Sequence, residues 1–166
     1  MKNRITAFVL ACALATVGLT PVPVFAQQAG QQKPKEPVAS PDEFKARVIH
    51  QTDLPMTELV PGSNSRLIAG EQSMISFLTM TKNSYFAPHQ HHQEQIMIVL
   101  DGYCDEIIEG KLYRVQKGDV VVLPSNIVHG AYIYDQDVQV IDVFGEVRAD
   151  YMVKLLQVMA GLNKKK

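Results

Sequence analysis

Three histidines fall within four residues in the stretch Pro88-His89-Gln90-His91-His92-Gln93-Glu94-Gln95. Imidazole is the commonest ligand for borderline divalent metals, so so dense a cluster reads as a metal site. Side chains two apart on an extended strand share a face, so His89 and His91 can converge on one point, and Gln95 keeps the same parity. Glu94 is the rival fourth donor, and strand alternation favours Gln95 over it. A further histidine, His129, stands far downstream, straight after the turn Pro124-Ser125-Asn126. Alone, a histidine on a strand reads as a core or surface side chain; beside the first cluster, His129 becomes a third imidazole for one divalent ion.

Asp142 is the second residue of chemical interest. It lies inside the apolar run Val140-Ile141-Asp142-Val143-Phe144, in step with Val140 and Phe144. A carboxylate in that register is costly unless it is paired or faces a wet cavity. The bland alternative is an outward-facing aspartate at a sheet edge, or an ion pair with Arg148.

Short strands and turns must position these groups. Arg66–Ala69, Ser73–Thr81, Gln95–Leu100, Tyr103–Ile108, Leu112–Val115, Asp119–Leu123, Ile127–Tyr134 and Val138–Phe144 read as strands, broken at Pro61-Gly62, Gly70-Glu71, Asp101-Gly102, Glu109-Gly110-Lys111, Pro124-Ser125-Asn126 and Asp135-Gln136-Asp137. This spacing predicts an all-β sandwich or barrel. The period then changes. Met152, Leu155, Leu156 and Met159 share a helical stripe over Asp150–Leu162, with Asp150 as cap and Gly161 as terminator. A helical turn around Asp42–Arg47, capped by Ser40 or Asp42, precedes the barrel.

At the N terminus, Lys2 and Arg4 precede an apolar run from Ile5 to Leu19, and Val24-Phe25-Ala26 closes the segment. This is the pattern of a secretory signal peptide cleaved after Ala26. The run is short for a membrane span, and it continues past Cys12, which weakens a lipidation reading. Removing 26 of the 166 residues leaves 140, enough for one domain with a sizeable core. The organisation expected is a leader over 1–26, a Gln/Pro/Lys-rich linker and arm over 27–57, a barrel over 58–148, and a helix with a basic tail over 149–166. The mature chain carries 14 basic and 17 acidic residues without a clustered basic face, which argues against nucleic-acid and anionic-membrane partners. Cys104 alone remains, so no intrachain bridge can form, and the thiol reads as a small buried hydrophobe. The location expected is the periplasm or the exterior. A homodimer is compatible with an exposed sheet edge.

The histidine patterns resemble the two cupin motifs. The first is usually written G, five residues, H-x-H, three or four residues, E, six residues, G; here it runs through Asn83, His89, His91, Gln95 and Gly102. The second, G, five residues, P-x-G, two residues, H, corresponds to Gly118, Pro124, Asn126 and His129. The resemblance implies a double-stranded β-helix, or jelly-roll, barrel with a metal in its open end. Asn replaces the opening glycine and tolerates the same left-handed conformation. Gln95 replaces the glutamate, so three neutral imidazoles and one amide oxygen bring no anion to the metal. Such a centre polarises oxygen donors strongly, whereas non-haem iron oxygenases generally use a carboxylate. That tilts the chemistry towards Lewis acidity, with zinc, nickel, manganese and iron all open.

The ending Asp142-Val143-Phe144…Arg148-Ala149-Asp150-Tyr151, taken with His-x-His-x-x-Glu-Gln, resembles the pectin-degradation cupins. That family opens 4,5-unsaturated uronates, released by polysaccharide lyases, into linear keto-deoxy uronates. The resemblance implies that Asp142 is the general acid/base, that Arg148 clamps the carboxylate of a small anionic sugar, and that Phe144 offers a face to the ring. Two other readings stay open: a quercetin-dioxygenase-like or other metal-dependent cupin enzyme, and a non-enzymatic sugar- or metal-binding cupin.

Overall fold

A computed structural model describes residues 37–164 of the chain. The expected leader, residues 27–36 of the linker and the last two lysines lie outside the described residues. Among those described, no helix is long and apolar enough to cross a membrane.

The first element is α1, Pro41–Lys45. Ser40 accepts from the backbone of Glu43, and Glu43 reaches back to the backbone of Ser40. That reciprocal cap, with Pro41 at the first helical position, starts the turn and settles the choice of cap on Ser40. A single 3-10 turn, Gln51–Asp53, follows.

Ten strands come next: β1 Thr57–Val60, β2 Ser63–Ala69, β3 Met74–Met80, β4 Tyr85–His89, β5 Gln95–Asp101, β6 Tyr103–Ile108, β7 Lys111–Gln116, β8 Val120–Leu123, β9 His129–Ile133 and β10 Val138–Phe144. They form a six-stranded sheet in the order β1-β2-β3-β10-β5-β8 and a four-stranded sheet in the order β4-β9-β6-β7. Every pairing is antiparallel. Two facing antiparallel sheets with a short C-terminal helix are the jelly roll expected from the strand spacing.

The turns explain the odd residues of the two motifs. Asn83 and Asn126 have φ of 60° and 64°, and Gly102 and Gly118 have φ of 81° and 94°. All four positions where the motif pattern wants glycine are therefore left-handed, and asparagine serves at two of them. Gly102 is further constrained, because a Cβ there would lie 2.6 Å from the carbonyl oxygen of Asp137.

Two apolar clusters fill the interior. One joins Met97, Val99, Cys104, Val115, Leu123, Ile133, Val138 and Val140 between the sheets. The other joins Leu59, Leu67, Met74 and Phe144 with Leu155 of α2, Ala149–Asn163. The helix departs from expectation at both ends. Its N-cap position is Arg148, while Asp150 lies in the first turn and binds the Arg148 guanidinium. The helix also runs through Gly161. Met152 and Leu155 pack inward, but Leu156 and Met159 are exposed, since the barrel meets only the early part of the helix.

Candidate metal centre

His89 closes β4 and His129 opens β9, and the two residues are paired in register. Their ring centroids are 4.5 Å apart. Gly130 permits this approach: a Cβ there would lie 2.5 Å from the carbonyl oxygen of Phe86 on β4. His91 reaches the same point from a different place than the alternation argument supposes. It sits in the loop between β4 and β5, where the chain leaves the four-stranded sheet for the six-stranded one. Its ring lies 6.0 Å from that of His89 and 5.0 Å from that of His129. One ring nitrogen from each of the three histidines lies within 4.8 Å of the others. His92 stays outside this group, exposed and bonded to Glu146 at 2.8 Å.

The three rings share one hydrogen-bond arrangement. The Nδ1–H of His89 donates to Ala87 O at 3.1 Å, that of His91 to Gln93 O at 2.9 Å, and that of His129 to Ile127 O at 3.0 Å. A carbonyl only accepts, so each Nδ1 carries the hydrogen and each Nε2 keeps a lone pair. Backbone carbonyls thus fix tautomer and ring orientation as partners behind metal-bound imidazoles do. Burial, helped by the positive field of Arg148, lowers the pKa of His91. Burial also pushes His129 down to about 4, so both rings are neutral near pH 7.

Gln95 supplies the clearest test of fit. Its Nε2–H donates to Asp142 Oδ1 at 2.8 Å, which turns its Oε1 towards His91 Nε2 at 3.2 Å. Two acceptors therefore face each other beside two more lone pairs, an arrangement that a cation satisfies. Gln95 is buried at the start of β5, whereas Glu94 is exposed, so Gln95 is the residue aimed at the triad. The donor set, three imidazoles and an amide oxygen, suits a divalent transition metal.

Beside these donors lies a cavity of about 520 Å³. Asp142, only 3 % exposed, lines it and makes no ion pair with Arg148, so neither bland reading of that residue describes its position. Burial raises its pKa to about 7, against the opposing pull of the Gln95 amide and the Arg148 charge. Arg148 is also buried. It uses Nε and Nη2 on Asp150, at 3.1 and 2.6 Å, and its guanidinium carbon lies 4.0 Å from the centre of the Tyr151 ring. Its Nη1 has no hydrogen-bond partner. A buried guanidinium nitrogen left without an acceptor beside a cavity is suited to an anion.

Phe144, expected to offer a face to a substrate ring, is placed elsewhere. It is fully buried and absent from the cavity wall. Its ring packs edge-on against His91 and Tyr151, each at 5.7 Å, so it backs the donors from the core. Tyr151, with Tyr85 and Phe86 of β4, supplies the aromatic side chains that do line the cavity.

Sequence reasoning missed two residues. Gly130 was signalled only by a glycine inside a strand pattern. Glu106, 4 % exposed, lines the cavity from β6, and its signal was its even spacing with Cys104, a residue expected in the core.

A cupin domain model matches residues 76–144. The pectin degradation protein KdgF of Dickeya dadantii is 28 % identical over 102 residues, which cover 60 % of this chain and 93 % of that one. Among solved structures, KdgF from Halomonas sp. aligns with a TM-score of 0.57 and 27 % identity, over 61 % of this chain and 94 % of that one. An RmlC-like cupin from Shewanella frigidimarina aligns with a TM-score of 0.59 and 19 % identity, over 63 % and 95 %, and speaks for the fold alone. The barrel between Ser76 and Phe144 is a cupin domain, in a chain that is homologous to the pectin-degradation cupin KdgF.

Proposed function

We propose that this protein holds one divalent metal through His89, His91, His129 and Gln95, and that it opens 4,5-unsaturated uronate sugars into linear keto-deoxy uronates. The observation that carries the reading is one cavity joining a neutral nitrogen-and-amide donor set to the unpartnered Nη1 of buried Arg148. A sugar acid needs both: a centre for its oxygens and a cation for its carboxylate. A divalent ion at the donors supplies Lewis acidity towards those oxygens. The likeness to KdgF supports the substrate class.

Arg148 orients the substrate by receiving its carboxylate on the free guanidinium edge, while Asp150 and the Tyr151 ring hold the other edge still. Asp142, fixed by Gln95, moves the proton that ring opening requires. The leader read at the N terminus would place this work in the periplasm or beyond.

The test follows the vinyl proton of unsaturated galacturonate by proton NMR, with metal-loaded and chelator-treated protein. Loaded protein is expected to consume the signal far faster than buffer, and chelated protein to match buffer. Arg148→Ala should raise KM by roughly 10- to 100-fold, the worth of a hydrogen bond to a charged group. A loaded protein no faster than buffer removes the proposal.

A further inference from the structure

Glu106 is the one cavity carboxyl with no role so far. It points inward from β6 of the four-stranded sheet, while Asp142 points inward from β10 of the six-stranded sheet, and both line the same cavity. Glu106 is not one of the three side chains whose ligand atoms cluster within 4.8 Å. It has no cationic partner among the described residues; its hydrogen-bond contact is the Cys104 thiol, whose Sγ–H points at Oε1 from 3.9 Å. A buried carboxyl with so weak a donor lowers stability unless something else retains it.

The two carboxyls are set up for opposite tasks. Asp142 accepts a hydrogen bond from the Gln95 amide, which holds its carboxyl as an acceptor at the cavity wall. Glu106 has no such amide donor and lies within reach of the Asp142 charge, which favours its protonated form. Burial and that neighbouring charge raise its pKa to about 8. A carboxyl held as an acceptor by an amide, and a second that enters the same cavity from the opposite sheet with only a thiol beside it, are placed to act as base and acid.

Resting on the ring-opening reading above, we propose that Glu106 is a second catalytic residue, the acid that delivers a proton to C4 of the sugar, while Asp142 takes the proton of the C1 hydroxyl. The atoms balance. As Asp142 removes that proton, C1 becomes a carbonyl and the bond from C1 to the ring oxygen breaks. The electron pair released to the ring oxygen makes the C5 carbonyl, and the former C4=C5 pair takes the proton from Glu106. Asp142 ends protonated and Glu106 ionised; return of one proton from the first to the second resets the site. Nothing is oxidised or reduced overall.

The experiment compares metal-loaded wild type, Glu106→Gln and Glu106→Asp on unsaturated galacturonate in deuterium oxide, with metal content and melting recorded for each. Wild type should place deuterium on one face of C4 in the initial product. Glu106→Gln should keep its metal, melt no lower than wild type and hold KM within a few-fold. Its kcat should fall by roughly 100-fold or more, the usual worth of general acid catalysis. Its residual product should carry deuterium on both faces. Glu106→Asp should recover part of the rate and the single-face label. A wild type that opens the sugar together with a Glu106→Gln that is equally fast, or equally selective at C4, overturns this assignment alone. Loss of metal or of cooperative melting in both variants assigns Glu106 a structural task and also overturns it. A wild type that leaves the sugar intact overturns the ring-opening reading, and this one with it.

Discussion

The two ends of the barrel interior are built on the same strands with the same alternation, yet their chemistry is opposite. Along β5 the inward side chains run Val99, Met97, Gln95; along β10, Val138, Val140, Asp142; along β6, Cys104, Glu106; along β9, Ile133, Ala131, His129. At one end these residues make an apolar core, and at the other they carry two carboxyls, an amide and an imidazole around a cavity. Each strand changes character without changing register. Hydrophobic burial holds the first end together, whereas every polar group at the second costs desolvation that only a partner or a ligand offsets. The closed end is the part that makes a barrel, and the open end is where stability is given up for chemistry.

Exchanging the two characters should therefore be ruinous in one direction and mild in the other. Val140 is 1 % exposed and lies two residues from Asp142 on the same inward face. Val140→Asp puts a carboxylate where no amide, guanidinium or cavity receives it, at a cost of several kcal/mol, about the whole stability of many domains. We expect no cooperative unfolding transition by circular dichroism. A Val140→Asp protein that melts like wild type would erase the contrast.

The second prediction concerns the strand contact that brings the ends of β4 and β9 together. Gly130→Ala sets a Cβ against the Phe86 carbonyl, which is backbone and cannot rotate away. The two strands must part, and with them His89 and His129, which are paired across the contact. The expected result is a loss of about 1–3 kcal/mol in thermal stability, the ordinary range for a steric core substitution, and a weaker metal affinity by titration. An equal change at Gly110, where nothing lies within 4 Å, should leave metal affinity as it was, although its φ of 74° also strains a side chain. The pair of variants separates strain from displacement.

How much of this could be read beforehand differs between the same two regions. The apolar strands, their turns and the histidine spacing are local patterns, so β3, β5, β6, β8 and β10 fall close to their expected bounds. Asp142 could be read because a carboxylate in an apolar register is conspicuous. Glu106 was far less conspicuous: its one signal was even spacing with Cys104, expected in the core, while a second acid, Asp105, stands beside it on the opposite parity. Asp105 in fact points out, where Arg114 and Tyr134 hold it. The path of His91 was likewise hidden: the alternation argument treats His89, His91 and Gln95 as one strand, and the chain instead crosses between sheets there. Arg148 and Tyr151 converge on the cavity through α2, a tertiary relation that no spacing encodes.

The smallest expected effect bears on the cost of the open end. Glu106 has its pKa raised to about 8 in the folded protein, and an unfolded glutamate titrates near 4.5. Between those values the unfolded chain gives up a proton that the folded chain keeps, so the folded state binds more protons and this group makes stability fall as pH rises. Glu106→Gln removes that dependence. Its stability relative to wild type should therefore increase from about pH 4.5 to about pH 8 and level off above, reaching at least about 1 kcal/mol in denaturant titrations. Cys104, pushed up to about 12 by burial, stays neutral throughout and does not blur the comparison. Asp142, also raised by burial, is present in both proteins, so its own pH dependence largely cancels, apart from the like-charge repulsion that the variant relieves. The same substitution at Asp105, whose carboxylate is held low by Arg114 and Tyr134, should act with the opposite sign: Asp105→Asn loses stability relative to wild type as pH rises through the acid range. Two neighbouring carboxyls on one strand, one inward and one outward, should thus have opposite effects on the pH dependence of stability. A flat difference curve for Glu106→Gln would mean that the inward carboxyl is solvated or paired, and that the open end sacrifices less than its side chains imply.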